Sequence, residues 1–226
     1  MSSARETFIA ELQAAISPWG LAPTQEQLDQ MAAHFEGMID ANRVINLTRI
    51  TDPAAAAVKH YADSLSVLDW ARQQAVQFGT VIDIGTGAGF PAMPLAIMAP
   101  HCRVTAIDGT GKKIDFLHRT AAALGLSNLR AEHVHSEHWV TKQRFDLVVA
   151  RALGPLDRCI RTGAKFVGRG GWVVVFKTKG INPEELKEAE QEAERAGLRE
   201  CERHPYQLTL GGETMPRLLF VYRGRR

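Results

Sequence analysis

Apolar side chains recur at helical spacing through the first seventy residues. Phe8, Ile9, Leu12 and Ile16 mark one amphipathic helix that stops before Pro18. Thr24 with Gln27 forms a capping-box pattern that opens a second helix through Leu28, Met31, Phe35, Met38 and Ile39. Asp52 followed by Pro53 matches a helix cap and first helical position, predicting a third helix through Val58, Tyr61, Leu65 and Leu68. The period then changes. Strand-like runs fall near Val81–Ile84, Arg103–Ile107, Leu129–Val134, Phe145–Ala150 and Trp172–Phe176, separated by helical patterns near 91–99, 111–124, 155–167 and 183–196. Strands that alternate with helices pair in parallel, because a tight turn cannot reach a parallel neighbour. Arg199–Leu208, Gly211-Gly212 and Arg217–Tyr222 read as a hairpin that adds an antiparallel edge strand. The prediction is a Rossmann-like doubly wound α/β sheet with an antiparallel last strand, residues 71–226, on which a helical extension, residues 1–70, packs.

Composition narrows the class. The chain has 226 residues, 45% of them hydrophobic and 23% charged, which excludes disordered and fibrous classes. No apolar run reaches the roughly 18 residues of a membrane helix, and Met1 to Ala14 lacks a signal-peptide core, so a cytoplasmic protein without a membrane partner is expected. Three cysteines without C-x-x-C spacing argue against a disulfide framework or a zinc knot. The charge is uneven. Residues 1–102 carry 5 Lys/Arg against 10 Asp/Glu, residues 103–179 carry 14 against 6, and residues 180–226 carry 8 against 9. The basic middle favours an anionic partner such as RNA on one face. Lys112, Lys113 and Arg119 are candidate phosphate contacts there.

The first strand runs into Asp83-Ile84-Gly85-Thr86-Gly87-Ala88-Gly89-Phe90. In such a sheet ligands sit at the carboxyl ends of strands, and glycines let backbone N–H groups approach them. A dinucleotide fingerprint requires glycine where Phe90 stands, and Gly111-Lys112-Lys113 lacks the hydroxyl of a Walker loop. The G-x-G-x-G turn formed by Gly85, Gly87 and Gly89, preceded by the acidic Asp83, resembles the class I S-adenosylmethionine-dependent methyltransferases. That resemblance implies S-adenosylmethionine as cofactor and S-adenosylhomocysteine as product, with Asp83, Gly85, Gly87 and Gly89 among the cofactor contacts and Asp108 at the end of the second strand accepting the ribose hydroxyls.

The acceptor is narrowed by the end of the fourth strand. Amino-methylating enzymes place an Asn/Asp-Pro-Pro-aromatic turn there, and carbon-5 cytosine enzymes need a nucleophilic cysteine. This chain has Arg151-Ala152-Leu153-Gly154, and none of its cysteines follows a proline. Guanine N7 has an in-plane lone pair and no proton to lose, so a donor such as Arg151 suffices without a general base.

Several motifs together resemble the ribosomal RNA small-subunit methyltransferase G family, also called glucose-inhibited division protein B. They are Asn46-Leu47-Thr48, His60 with Asp63-Ser64, the glycine loop through Pro91, Asp108 with Gly111-Lys112-Lys113 and Phe116-Leu117, Arg151-Ala152, and Lys177 before Gly180. The resemblance implies methylation of guanine N7 in 16S ribosomal RNA by an enzyme that acts as a monomer on the RNA or the small ribosomal subunit. It also implies cofactor contacts at Gly85, Phe90, Ser136, Glu137 and Arg151, and places Asn46, His60 and Asp63 near the acceptor. Arg151, Asp63 and Lys177 are then the candidate catalytic residues, Asp63 by stabilising the positive charge gained by the purine.

The chain departs from the family pattern twice. Ala92 follows Pro91 where the family has glycine, and Lys177-Thr178-Lys179-Gly180 spreads a Lys-Gly pair, so either Lys177 or Lys179 faces RNA. His133, His135 and His138 have a spacing that metals accept, but no metal is expected because His138 lies past the strand's end. Alternatives remain: another RNA or small-molecule acceptor, a non-catalytic RNA-binding module, or a nicotinamide-dependent oxidoreductase.

Overall fold

A computed structural model of the chain describes residues 3–178 and 180–224. Two helices begin as their local sequence dictates. Ser3 and Thr24 cap α1 (Ala4–Ile16) and α2 (Gln25–Ile45) through reciprocal capping boxes with Glu6 and Gln27. Asp52 caps the third helix by accepting from the Ala55 N–H. This helix is not uniform: α3 (Pro53–Ala56) passes through a π-helical segment, Ala57–Ala62, into α4 (Asp63–Gln73). Of the π turn's residues, Lys59 and His60 line a cavity at the end of β4, while Tyr61 is buried in the core.

Seven strands form one sheet in the order β3-β2-β1-β4-β5-β7-β6. Their spans are β1 (Thr80–Ile84), β2 (Arg103–Asp108), β3 (Leu129–His133), β4 (Phe145–Arg151), β5 (Val167–Thr178), β6 (Leu198–Leu210) and β7 (Glu213–Gly224). The five earlier strands pair in parallel, and β7 runs antiparallel to both β5 and β6. The hairpin therefore differs from its expected placement, because the antiparallel strand is internal and β6 forms the edge. The reason is burial: Leu219, Phe220, Val221 and Tyr222 are covered on both faces, whereas β6 alternates between buried and open positions. The fifth strand also starts earlier than its apolar run, at Val167, the last residue of the expected helix, because Val167 pairs with Phe145 ahead of Gly168, Gly170 and Gly171.

Helices cover both faces. On one side α1 to α4, α5 (Ala92–Met98) and α6 (Gly111–Ala123) share a core with Val81, Val104, Leu147, Val149 and Val221. On the other, α7 (Leu156–Ala164) and α8 (Pro183–Arg195) pack on Ile82, Ile84, Val148, Val173 and Tyr222. The helix α2 is fastened to the core by Gln27 and Gln30, whose amides donate to the carbonyls of Ile97 and Leu124. At the opposite edge of the sheet, His34 of α2 meets the Ala88 carbonyl and Asp63 of α4 meets Arg151, so the amino-terminal helices reach the carboxyl ends of β1 and β4, where the strand order reverses and ligands bind.

Candidate active site

Two adjoining cavities open at these strand ends. The first, about 260 Å3, is lined by Gly85, Ile107, Asp108, Gly109, Thr110, Val134, His135, Ser136, Glu137, Leu153 and Arg158. Gly85 brings the start of the glycine loop to its wall. Gly85, Gly87 and Gly89 adopt φ of 75°, 60° and 100°, a region that other side chains rarely enter. A Cβ on Gly85 would lie 2.9 Å from Leu153. Asp108 ties the loop to β2, since Oδ2 accepts from the Gly87 N–H at 3.0 Å and Oδ1 from the Thr110 N–H at 2.8 Å. Each carboxylate oxygen keeps a further lone pair, so Asp108 still has capacity for two ribose hydroxyls. Apolar Ile107, Val134 and Leu153 beside that carboxylate suit an adenosyl group.

Asp83 takes a different position from a cofactor contact. It is fully buried beneath the loop and lines neither cavity. Its Oδ2 accepts from the Ala92 N–H at 3.0 Å, holding the start of α5. Asp83 Oδ1 and the Thr86 hydroxyl are buried without a well-directed hydrogen bond. Burial pushes the Asp83 carboxyl up to about 7, against the opposing pull of Thr86 and Ala92.

The second cavity, about 470 Å3, is lined by Lys59, His60, Asp63, Arg151, Ala152, Cys159, Lys177, Tyr206 and Arg217, among others. At its centre Arg151 Nη1 donates to Asp63 Oδ2 at 3.0 Å and to the Lys59 carbonyl at 3.1 Å. The Arg151 guanidinium lies 5.2 Å from the centre of the Phe90 ring, on which His60 stacks at 4.7 Å. Asp63 Oδ1 accepts from the Tyr206 hydroxyl at 2.8 Å and lies 3.7 Å from Arg217 Nε. His60 Nδ1 faces Arg151 Nη2 at 3.4 Å, so its proton is on Nε2, which donates to Thr48 Oγ1 at 2.8 Å. Burial and the neighbouring Arg151 charge hold His60 neutral, down to about 3. Burial pushes the Cys159 thiol up to about 11, which removes it as a nucleophile.

Phe90, His60, Asp63 and Arg151 are thus brought together, while other candidates lie further out. Lys177 lines the same cavity, its ammonium donating to the Gly154 carbonyl at 2.8 Å and to Glu185 at 2.7 Å. Ser136 and Glu137 line the first cavity, and Glu137 pairs with Arg158 at 3.0 Å. Lys113 stands 3.9 Å from Asp108, whereas Lys112 and Arg119 are exposed on α6. Asn46 is exposed, ends α2 in a left-handed conformation and lines neither cavity. Lys179 lies outside the described residues. His133 Nε2 meets the Gly109 carbonyl at 3.1 Å, and among the described residues no three His, Cys, Asp or Glu side chains are grouped to hold a metal. Tyr206, Arg217 and Lys59 escaped the sequence reading, because only the folded hairpin and the π turn bring them to Asp63.

Sheet order, glycine loop and strand-end carboxylate define a class I S-adenosylmethionine-dependent methyltransferase. The fold is shared with the N-methyltransferase NodS of Bradyrhizobium japonicum in complex with S-adenosyl-L-homocysteine. That match has a TM-score of 0.53 and 19% identity, and covers 85% of this chain and 97% of that one. TehB from Haemophilus influenzae matches with a TM-score of 0.54 and 16% identity, over 77% of this chain and 66% of that one. Sequence then specifies the family. The rRNA small subunit methyltransferase G family model matches residues 27–206. The ribosomal RNA small subunit methyltransferase G of Solibacter usitatus is 35% identical over 92% of this chain and 98% of its own length. That of Synechococcus elongatus is 37% identical over 74% and 70%. The chain belongs to the rRNA small subunit methyltransferase G family, and it is an S-adenosylmethionine-dependent rRNA methyltransferase.

Proposed function

We propose that this enzyme methylates N7 of a guanine in 16S ribosomal RNA, acting in the cytoplasm as a single chain. The cofactor supplies an electrophilic methyl group on a sulfonium, and transfer needs an acceptor lone pair held in line with it. One observation carries the choice of N7: the described groups of the acceptor cavity are already committed, and none is set to take a proton. Asp63 faces Arg151, Tyr206 and Arg217, the free nitrogen of His60 faces Arg151, and the Cys159 thiol is protonated. An amino acceptor sheds a proton on methylation, whereas guanine N7 has none to shed. An arginine donor directed at O6 orients that base and leaves N7 open.

In this reading Arg151 holds the acceptor and Asp63 orients Arg151. The expected stabilisation of a positive purine by Asp63 is displaced, since two guanidiniums already match its charge. Asp108 and the glycine loop hold the ribose side of the cofactor, with Ser136 and Glu137 at the rim. Asp83 acts from beneath by bracing the loop. Lys59, Lys177 and Arg217 form a cationic rim for RNA phosphate. A-form helices bury N7 in a deep groove, so the target base lies in a loop or is extruded.

The test incubates the protein with tritiated S-adenosylmethionine and small subunits that lack the modification, then maps the label by strand cleavage selective for N7-methylguanine. Label at one guanine of 16S RNA is expected, and label at an amino group or in another RNA contradicts the assignment.

A further inference from the structure

We infer that His34 is a positioning residue for cofactor binding: oriented by the Tyr61 hydroxyl, its imidazole holds the Ala88 carbonyl and thereby sets the shape of the glycine loop. The inference rests on the loop alone and does not depend on which atom accepts the methyl group.

The loop needs such a support. Three of its residues are glycines with positive φ, which lose the most conformational entropy when ordered. Ala92 is the first residue of α5, where N–H groups have no partner within the helix, and the Ala88 carbonyl lies in the turn before it. The Ala92 N–H donates to Asp83 Oδ2 at 3.0 Å. The Ala88 carbonyl is met by His34, whose Nε2 lies 2.9 Å away. A carbonyl only accepts, so Nε2 carries the proton, and Nδ1 must accept. Its partner is the Tyr61 hydroxyl at 2.8 Å, which donates.

Both groups are fixed by packing. His34 is fully buried, with its ring 5.3 Å from Phe90 and 5.8 Å from Phe116. Tyr61 is fully buried between Phe8 and Phe90, with ring centres 4.7 and 5.0 Å away. Burial keeps His34 neutral, down to about 4, so both bonds persist at neutral pH. The π turn that carries Tyr61 also carries His60, which stacks on Phe90, and the Lys59 carbonyl, which accepts from Arg151. The amino-terminal helices thus shape the cofactor loop as well as the acceptor cavity.

Three variants of the full-length enzyme test this. In Tyr61→Phe one hydroxyl is lost and the ring remains. His34→Leu removes both bonds, and His34→Gln keeps an N–H that can reach Ala88. S-adenosylhomocysteine affinity by calorimetry is expected to fall ~10-fold in His34→Leu. A smaller fall is expected in Tyr61→Phe, with the KM for small subunits unchanged in both and most of the affinity restored in His34→Gln. Nitrogen-15 spectra of labelled histidine should show His34 protonated on Nε2 alone in the wild type, with a second tautomer appearing in Tyr61→Phe. Should His34→Leu not fold, Tyr61→Phe, His34→Gln and the spectra still decide. Unchanged cofactor affinity in Tyr61→Phe, loss of affinity in His34→Gln as large as in His34→Leu, or a wild-type imidazole protonated on Nδ1 would overturn the inference.

Discussion

Arg151 Nη1 and Asp63 Oδ2 lie 3.0 Å apart, although 88 residues of chain separate them. The pair joins the end of β4 to the first turn of α4, and both side chains are largely buried. If Asp63 works through Arg151, their losses are not additive. Arg151→Ala is expected to lower kcat/KM on small subunits ~10²-fold, as does removal of a donor aimed at the reacting group. Asp63→Asn should lower it less, and the double variant should be no worse than Arg151→Ala alone. Steady-state kinetics on the four proteins measure this, and multiplicative losses would give Asp63 an independent role. Asp63→Ala leaves buried cations uncompensated and should cost about 3 kcal/mol in urea unfolding.

Asp108 accepts from two backbone N–H groups and lines the cavity beside Gly85. Asp108→Ala removes these bonds along with any to the ribose. S-adenosylhomocysteine affinity is expected to fall about 30-fold or more, since hydrogen bonds to a charged group are worth roughly 1.5–3 kcal/mol each. Calorimetry decides it, and a change under threefold would place the ribose elsewhere.

Buried Asp83 makes stability pH-dependent in a defined direction. Burial raises its folded pKa to about 7, above the ordinary aspartate value of 3.8, so between these values the folded state binds the proton more tightly. This contribution is complete below about pH 4 and is lost as pH rises through about 7. Asp83→Asn removes it. From pH 5 to pH 8, the unfolding free energy of the variant should gain on the wild type by about 2–3 kcal/mol, as read by urea denaturation. A difference that does not vary with pH would mean that Asp83 is ionised throughout.

Arg217 and Lys59 line the cavity around Arg151 from distant parts of the sequence. As phosphate contacts, Arg217→Ala and Lys59→Ala should each weaken small-subunit binding and reduce the salt-dependence slope by about one. Cofactor affinity should stay unchanged. Filter binding across salt concentrations tests this, and an unaltered slope would assign Arg217 solely to neutralising Asp63.

What could be read from the sequence was local in the chain. The glycine loop, Asp108 and Arg151 each sit where a strand ends, and periodicity alone marks those ends. The capping box at Thr24 and the helix cap at Asp52 are likewise short-range chemistry. Tyr206 meets Asp63 across 143 residues, through a hairpin whose internal strand follows from burial on both faces and not from any motif. His34 looks like one more residue on an apolar helix face until the fold sets its ring between the Ala88 carbonyl and the Tyr61 hydroxyl. The π turn has no sequence signature, because it arises where α3 must bring Lys59, His60 and Tyr61 to different partners at once.

N7 as the acceptor atom is tested by replacing guanosine at the mapped position of 16S RNA with 7-deazaguanosine in reconstituted small subunits. The Watson–Crick edge is unchanged and only the N7 lone pair is lost. Methyl transfer from labelled S-adenosylmethionine is expected to vanish while subunit binding persists. Continued transfer to the substituted base would contradict N7 as the acceptor.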